Sequence, residues 1–180
     1  MLPISIPARE LFNEQTGEFL TIGPYYLELE HSLKSISKWE AKTHKSFFEG
    51  NGMSPEDFRE YVRCMTLNRV TDPTVYQFLR PIDFKEIGEY MTDTMSAKTF
   101  RPKKKKGPHV VMTSETIYSL MIAYGIPFEC DKWHFNRLSS LIKTCEQNGM
   151  GEGGGMSYSE RQRYYNELND QRRKMLHTKG

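Results

Sequence analysis

The sequence predicts a mostly helical α+β protein: a small N-terminal antiparallel β-sheet, a compact helical body and a tethered C-terminal helix. Three observations predict it. Apolar residues alternate with polar ones before residue 30, then recur at three- and four-residue spacing. Five glycines within residues 148–156 then interrupt the chain. Beyond them the sequence is polar, basic and helix-forming in composition. The expected boundaries are 1–30 for the sheet, 31–147 for a helical body in the same domain, 148–156 for a linker, and 157–180 for a basic amphipathic helix.

Ile4 and Ile6 alternate with smaller or polar neighbours and start the first strand. Residues 18–22 form a second short candidate. Gly23-Pro24 is a turn signal, and residues 25–30 alternate apolar with acidic, which places Leu27 and Leu29 on a buried face. The period then changes. Over residues 31–48, Leu33, Ile36, Trp39, Thr43 and Phe47 keep helical spacing, with Lys34, Lys38 and Lys42 on another face. Ser54-Pro55-Glu56-Asp57 is a helix start: Ser caps, Pro suits the first helical position, and the acids suit the positive end of the dipole.

Asp72-Pro73 opens a short helix that Pro81 is expected to stop, and residues 83–91 form the next. Residues 92–108 lack periodicity and read as a loop. Ser114, Ile117, Leu120, Met121 and Tyr124 form a helix ending at Gly125. The last body helix is expected to start at Asp131 and to carry Trp133, Leu138, Leu141, Ile142 and Cys145 on one stripe. Trp39 and Trp133 are both expected in the core.

Composition limits the function classes. The 180-residue chain holds 22 aromatics, from 10 Phe, 10 Tyr and 2 Trp, which opposes wholesale disorder. No apolar run approaches the roughly 20 residues of a membrane span. The start MLPISIPARELF lacks a basic region followed by an apolar one, so no secretory signal is read. Three scattered cysteines do not suggest a disulfide framework. The net charge of +2 is uneven: residues 157–180 carry six Lys/Arg against three acids.

No motif supplies catalysis. The glycine run follows a helix rather than a strand and lacks the Lys-Ser/Thr pair of a phosphate loop. Cys130 and His134 are four apart, but a zinc site needs further ligands that the spacing does not provide. There is neither a Gly-x-Ser-x-Gly elbow nor a His-Glu-x-x-His pair. The reading is a non-enzyme with no cofactor and no metal.

Two binding segments remain. Arg101, Lys103, Lys104, Lys105 and Lys106 form a basic loop that reads first as a solvated run, because no aromatics are interleaved to stack bases. Tyr164, Tyr165 and Leu168 lie beside Arg172 and Arg173 and form a candidate partner-binding face. A helix so polar gains little from packing and is marginal alone. Removing residues 157–180 is therefore expected to leave the body's melting transition in place and to weaken partner binding. Unfolding of the truncated body would overturn the linker reading.

Several stretches together resemble a family of small proteins from the tail modules of long-tailed bacteriophages and prophages, the tail assembly chaperones. They are LELEHSLKSISKWE (27–40), YVRCMT (61–66), MSAKTF (95–100), SETIY (114–118), IPFECDKWHFNRL (126–138) and LNDQRRKMLHTKG (168–180). They span almost the whole chain in order. The lysine run and the glycine linker depart from the family pattern and leave open how the tail is presented.

The resemblance implies a non-catalytic chaperone in the host bacterial cytoplasm that binds the tape-measure protein, or other tail proteins, before the tail tube polymerises. A homo-oligomer is left open, and no membrane is involved. The alternative it implies is a permanent structural component of the tail, a connector or baseplate-proximal subunit of the virion. A nucleic-acid-binding protein is the weaker alternative, which steeply salt-dependent binding would reveal.

Overall fold

The structure, a computed structural model, describes residues 1–15, 17–49, 52–98 and 111–148. It is α+β, with four short strands followed by five α-helices and two 3-10 turns. The strands are β1 (Leu2–Ile6), β2 (Arg9–Asn13), β3 (Glu18–Ile22) and β4 (Tyr25–Leu29). The helices are α1 (Leu33–Thr43), α2 (Pro55–Met65), α3 (Pro81–Thr92), α4 (Ser114–Ala123) and α5 (Phe135–Gln147), with the 3-10 turns at Pro73–Gln77 and Phe128–Lys132. The chain divides into two units, Met1–Lys143 and Thr144–Gly180; only residues 144–148 of the second are described.

The four strands form one interrupted antiparallel ribbon. β1 pairs with β4 from Leu2↔Leu29 to Ile6↔Tyr25, and β2 pairs with β3 from Arg9↔Ile22 to Asn13↔Glu18. The register is the same in both ladders. Continuing it would set Pro7 opposite Pro24, and proline has no N–H to give a ladder. The ribbon breaks there. Gly23 sits at φ +82°, a left-handed conformation that other residues adopt with strain.

The inner half of the ribbon carries the core. Ile4, Ile6, Leu27 and Leu29 are buried with Ile36 and Trp39 of α1, Tyr61, Val62 and Met65 of α2, and Val75, Tyr76, Leu79 and Ile87. The alternation of residues 25–30 is thus read correctly. The free edge of β4 is closed by the segment after α2. Glu30 N–H donates to the Met65 carbonyl (3.0 Å) and Leu67 N–H to the Glu28 carbonyl (2.8 Å). Asn68 continues this pairing with its side chain, accepting from Glu28 N–H at 2.9 Å and donating to the Tyr26 carbonyl at 2.8 Å.

Capping decides several helix ends. Ser32 and Ser35 form a reciprocal capping box at the start of α1: each backbone N–H donates to the other's hydroxyl, at 2.9 and 3.2 Å. The helix was expected to run through residue 48, but it ends at Thr43. His44 turns left-handed (φ 57°) and its N–H closes on the Glu40 carbonyl at 2.8 Å. Phe47 and Phe48 then pack on the core from a loop. The Ser54 cap with Pro55 and the two acids opens α2 as expected.

Pro81 does the opposite of what was expected. The preceding segment is a 3-10 turn that already ends at Gln77, and Pro81 is the first residue of α3. The Asp83 carboxylate there accepts from Arg80 N–H (2.7 Å) and from the Arg80 guanidinium (2.7 and 3.0 Å). Glu40 joins distant segments. It is buried, and its two oxygens accept from Phe47 N–H (2.8 Å) and from Ser114 N–H at the start of α4 (2.7 Å).

The last body helix starts at Phe135, not Asp131. Phe128–Lys132 forms a 3-10 turn, and His134 pairs as a β-bridge with Ser32. Phe135 N–H donates to the His31 carbonyl at 2.7 Å. This pairing needs extended backbone at Trp133, and it delays the helix. Trp39 is in the core as expected, but Trp133 is not. It is half-buried, with the Arg137 guanidinium 4.3 Å from its ring centroid.

Candidate interaction surface

The outer half of the ribbon has a different character. No residue of β2 or β3 is buried. Four of its five large apolar residues are open to solvent: Leu11 is 41% exposed, Phe12 55%, Phe19 69% and Leu20 51%, while Ile22 at its base is half-buried. Leu11 stands opposite Leu20, and Phe12 opposite Phe19. Successive strand residues point to opposite faces, so the leucine pair covers one face and the phenylalanine pair the other. The Phe rings touch across the strands, with centroids 5.1 Å apart. At the tip, Gly17 N–H donates to the Asn13 carbonyl at 2.8 Å.

Exposed strand edges are templates for pairing with another chain. The inner ribbon is covered on the β4 side, whereas among the described residues the outer edges of β2 and β3 meet no such partner. Glu10, Glu14 and Glu18 give the arm charge, which keeps such edges from self-pairing. A two-stranded ribbon is marginal in water by itself. This one is held by its shared register with β1 and β4. An arm that is apolar on both faces and open at both edges suits enclosure by a protein partner.

The buried interior holds a second cluster, made of polar groups. Tyr61 hydroxyl and His31 Nδ1 are 2.6 Å apart, and the His31 ring meets the His134 ring edge-on with centroids at 5.1 Å. His134 Nδ1 accepts from Asn136 N–H (3.3 Å), which assigns the ring proton to Nε2, and Nε2 donates to the Tyr90 carbonyl (3.0 Å). Tyr90 hydroxyl donates to Glu30 Oε1 at 2.7 Å.

Burial, with the neighbouring His134, pushes His31 down to about 3. Burial also lowers His134, against opposing contributions from the Tyr90 carbonyl and from Glu30 and Asp93. Burial drives the Tyr61 phenol far above its ordinary value. These groups are neutral at pH 7 and enclosed: His31 and Tyr61 have almost no exposed surface. They read as a hydrogen-bonded support for the junction of α1, α2 and α5 rather than as a site open to substrate.

The sequence-predicted binding residues are not among these. Tyr164, Tyr165, Leu168, Arg172 and Arg173, and the loop Arg101, Lys103, Lys104, Lys105 and Lys106, lie outside the described residues. Cys130 and Cys145 are buried free thiols. Among the described residues, no group of three or more His, Cys, Asp or Glu is placed to hold a metal ion, and no helix is long and apolar enough to cross a membrane.

β2 escaped the sequence reading because Leu11 and Phe12 are adjacent, which breaks the alternation expected of a half-buried strand. The signal that could have found it is the mirrored order Leu11-Phe12 and Phe19-Leu20 about the midpoint between residues 15 and 16, with Gly17 close by. No family model, curated protein or solved structure matches this chain.

Proposed function

We propose that this chain is a non-catalytic binding protein that grips a protein partner with its β2–β3 arm, as a tail assembly chaperone of a long-tailed bacteriophage. The tape-measure protein is the partner. The observation that carries the reading is the two-faced apolar arm, with Leu11 and Leu20 on one side and Phe12 and Phe19 on the other. Monomeric proteins rarely leave such apolar surface uncovered. A chaperone that holds apolar segments before tube assembly needs surface of this kind, and the sequence resemblance supplies the partner. The open edges of β2 and β3 favour a second reading, a permanent tail subunit whose arm adds to a neighbour's sheet.

The test uses tagged full-length chain in cells assembling the phage that encodes it. Wild type should capture the tape-measure protein and be missing from purified particles. Aromatic anchors buried in an interface each contribute about 2 kcal/mol or more, so Phe12→Ser with Phe19→Ser should weaken capture more than about tenfold. Its melting temperature should stay within about 2 °C, as both side chains are exposed. Stoichiometric presence in mature particles would replace the chaperone reading with the structural one. Undiminished capture by the double variant would remove the arm from either.

A further inference from the structure

Away from the arm, the described residues include a cluster of positive charge around one cleft. A cleft of about 370 Å³ lies between the start of α1 and the end of α2. Lys34 and Lys38, one turn apart on α1, line it, and Lys132 adds a third ammonium from the second 3-10 turn. Two other lysines nearby are neutralised: Lys42 pairs with Glu60 and Lys45 with Asp57. Among the described residues, none of the three cleft lysines has an ion pair. The cleft's one acid, Glu30, is already engaged, by Tyr90 at Oε1 (2.7 Å) and by the Met1 amino group at Oε2 (2.9 Å). Leu67, also lining the cleft, is 58% exposed and offers an apolar wall.

We propose that this cleft binds an organic phosphate, with the phosphate among Lys34, Lys38 and Lys132 and the carbon part against Leu67. Three ammoniums around one concavity raise the local anion concentration. A phosphate monoester carries close to two negative charges at pH 7 and three strong acceptor oxygens, so it compensates more of this charge than a carboxylate does. Lysine binds phosphate as a point charge and needs no fork geometry. The volume lies in the range of small-ligand pockets. The field of the same face reaches Cys64, which lines the cleft. Burial and Glu60 raise its thiol, while Lys42, Lys38 and Arg63 work in the opposite direction. This site is independent of the arm.

The experiment titrates the 180-residue protein with AMP and, separately, with inorganic phosphate, sodium chloride being used to hold the ionic strength constant. AMP at about a hundredfold over its Kd should raise the melting temperature by several degrees, saturably. It should also slow alkylation of Cys64 by N-ethylmaleimide, followed by peptide mass spectrometry. An equal response to inorganic phosphate would assign the site to the phosphate group alone and remove the role of Leu67. Both effects should weaken at least tenfold in Lys34→Gln/Lys38→Gln/Lys132→Gln, and persist in Lys85→Gln, an exposed lysine of α3. These lysines are all exposed, so the variants should fold. No saturable response, or an equal response in the triple variant, overturns the proposal.

Discussion

Trp39→Ala should lower the melting temperature by about 10 °C, the counterpart of roughly 3–5 kcal/mol for truncating a buried aromatic in a domain of this size. Trp39 is only 2% exposed. Its indole meets Phe47 and Tyr61 edge-on, at centroid distances of 5.8 and 6.5 Å. Its Nε1–H donates to the Asp57 carbonyl at 3.0 Å, and that bond ties α1 to the first turn of α2. Alanine would leave a cavity among rings that cannot collapse, and would leave the Asp57 carbonyl without this donor. Trp39→Phe keeps part of the ring volume and loses the N–H, so its cost should be smaller, nearer 1–2 kcal/mol. Thermal and urea unfolding of the three proteins would measure this. An unchanged midpoint for alanine would place Trp39 outside the core.

Acidification should produce the second large effect. Both His31 and His134 have folded values below the ordinary histidine value of 6.5. The unfolded chain therefore takes up protons that the folded chain refuses. Stability is complete above about pH 6.5 and is lost as pH falls below it. For His31, at about 3 when folded, the loss continues through the whole acid range. The slope is about 1.4 kcal/mol per pH unit per histidine, so His31 alone should remove about 2 kcal/mol between pH 6.5 and 5.

The lowered carboxyls behave differently. Asp57, held down first by Lys45, and Asp72, held down first by Thr74, lose their contribution only below their ordinary value of 3.8. The window from pH 6.5 to 5 therefore belongs to the histidines. Melting curves across that window should fall steeply for the wild type and less for His31→Gln. A flat wild-type profile, or an unchanged slope in the variant, would show that His31 is not buried neutral.

Much of the fold was legible because its signals are local. Ser54-Pro55 opens α2 through contacts within one turn. Leu27 and Leu29 face the core because the strand period is two. Trp39 lies on the stripe its spacing predicts. The candidate surface was much less legible. The sequence reading favoured charged segments and aromatics beyond residue 100, whereas the exposed apolar pairs lie at residues 11–20. β2 has no buried face and shows no alternation, so periodicity passed over it, while its partner β3 was read.

By itself the sequence determined the α+β class, the order of most elements and the Ser54 cap that starts α2, since a cap needs only a side chain within reach of the next few N–H groups. Tertiary structure decided what depends on distant neighbours. Pairing of residues 134–135 with 31–32 delayed α5 and left Trp133 half-buried. Asn68 closed the edge of β4 across a separation of 40 residues. Lys132 met Lys34 and Lys38, and His134 met His31, only once the helices packed. Burial and pairing are properties of what stands opposite in space, and a linear spacing of residues does not carry them.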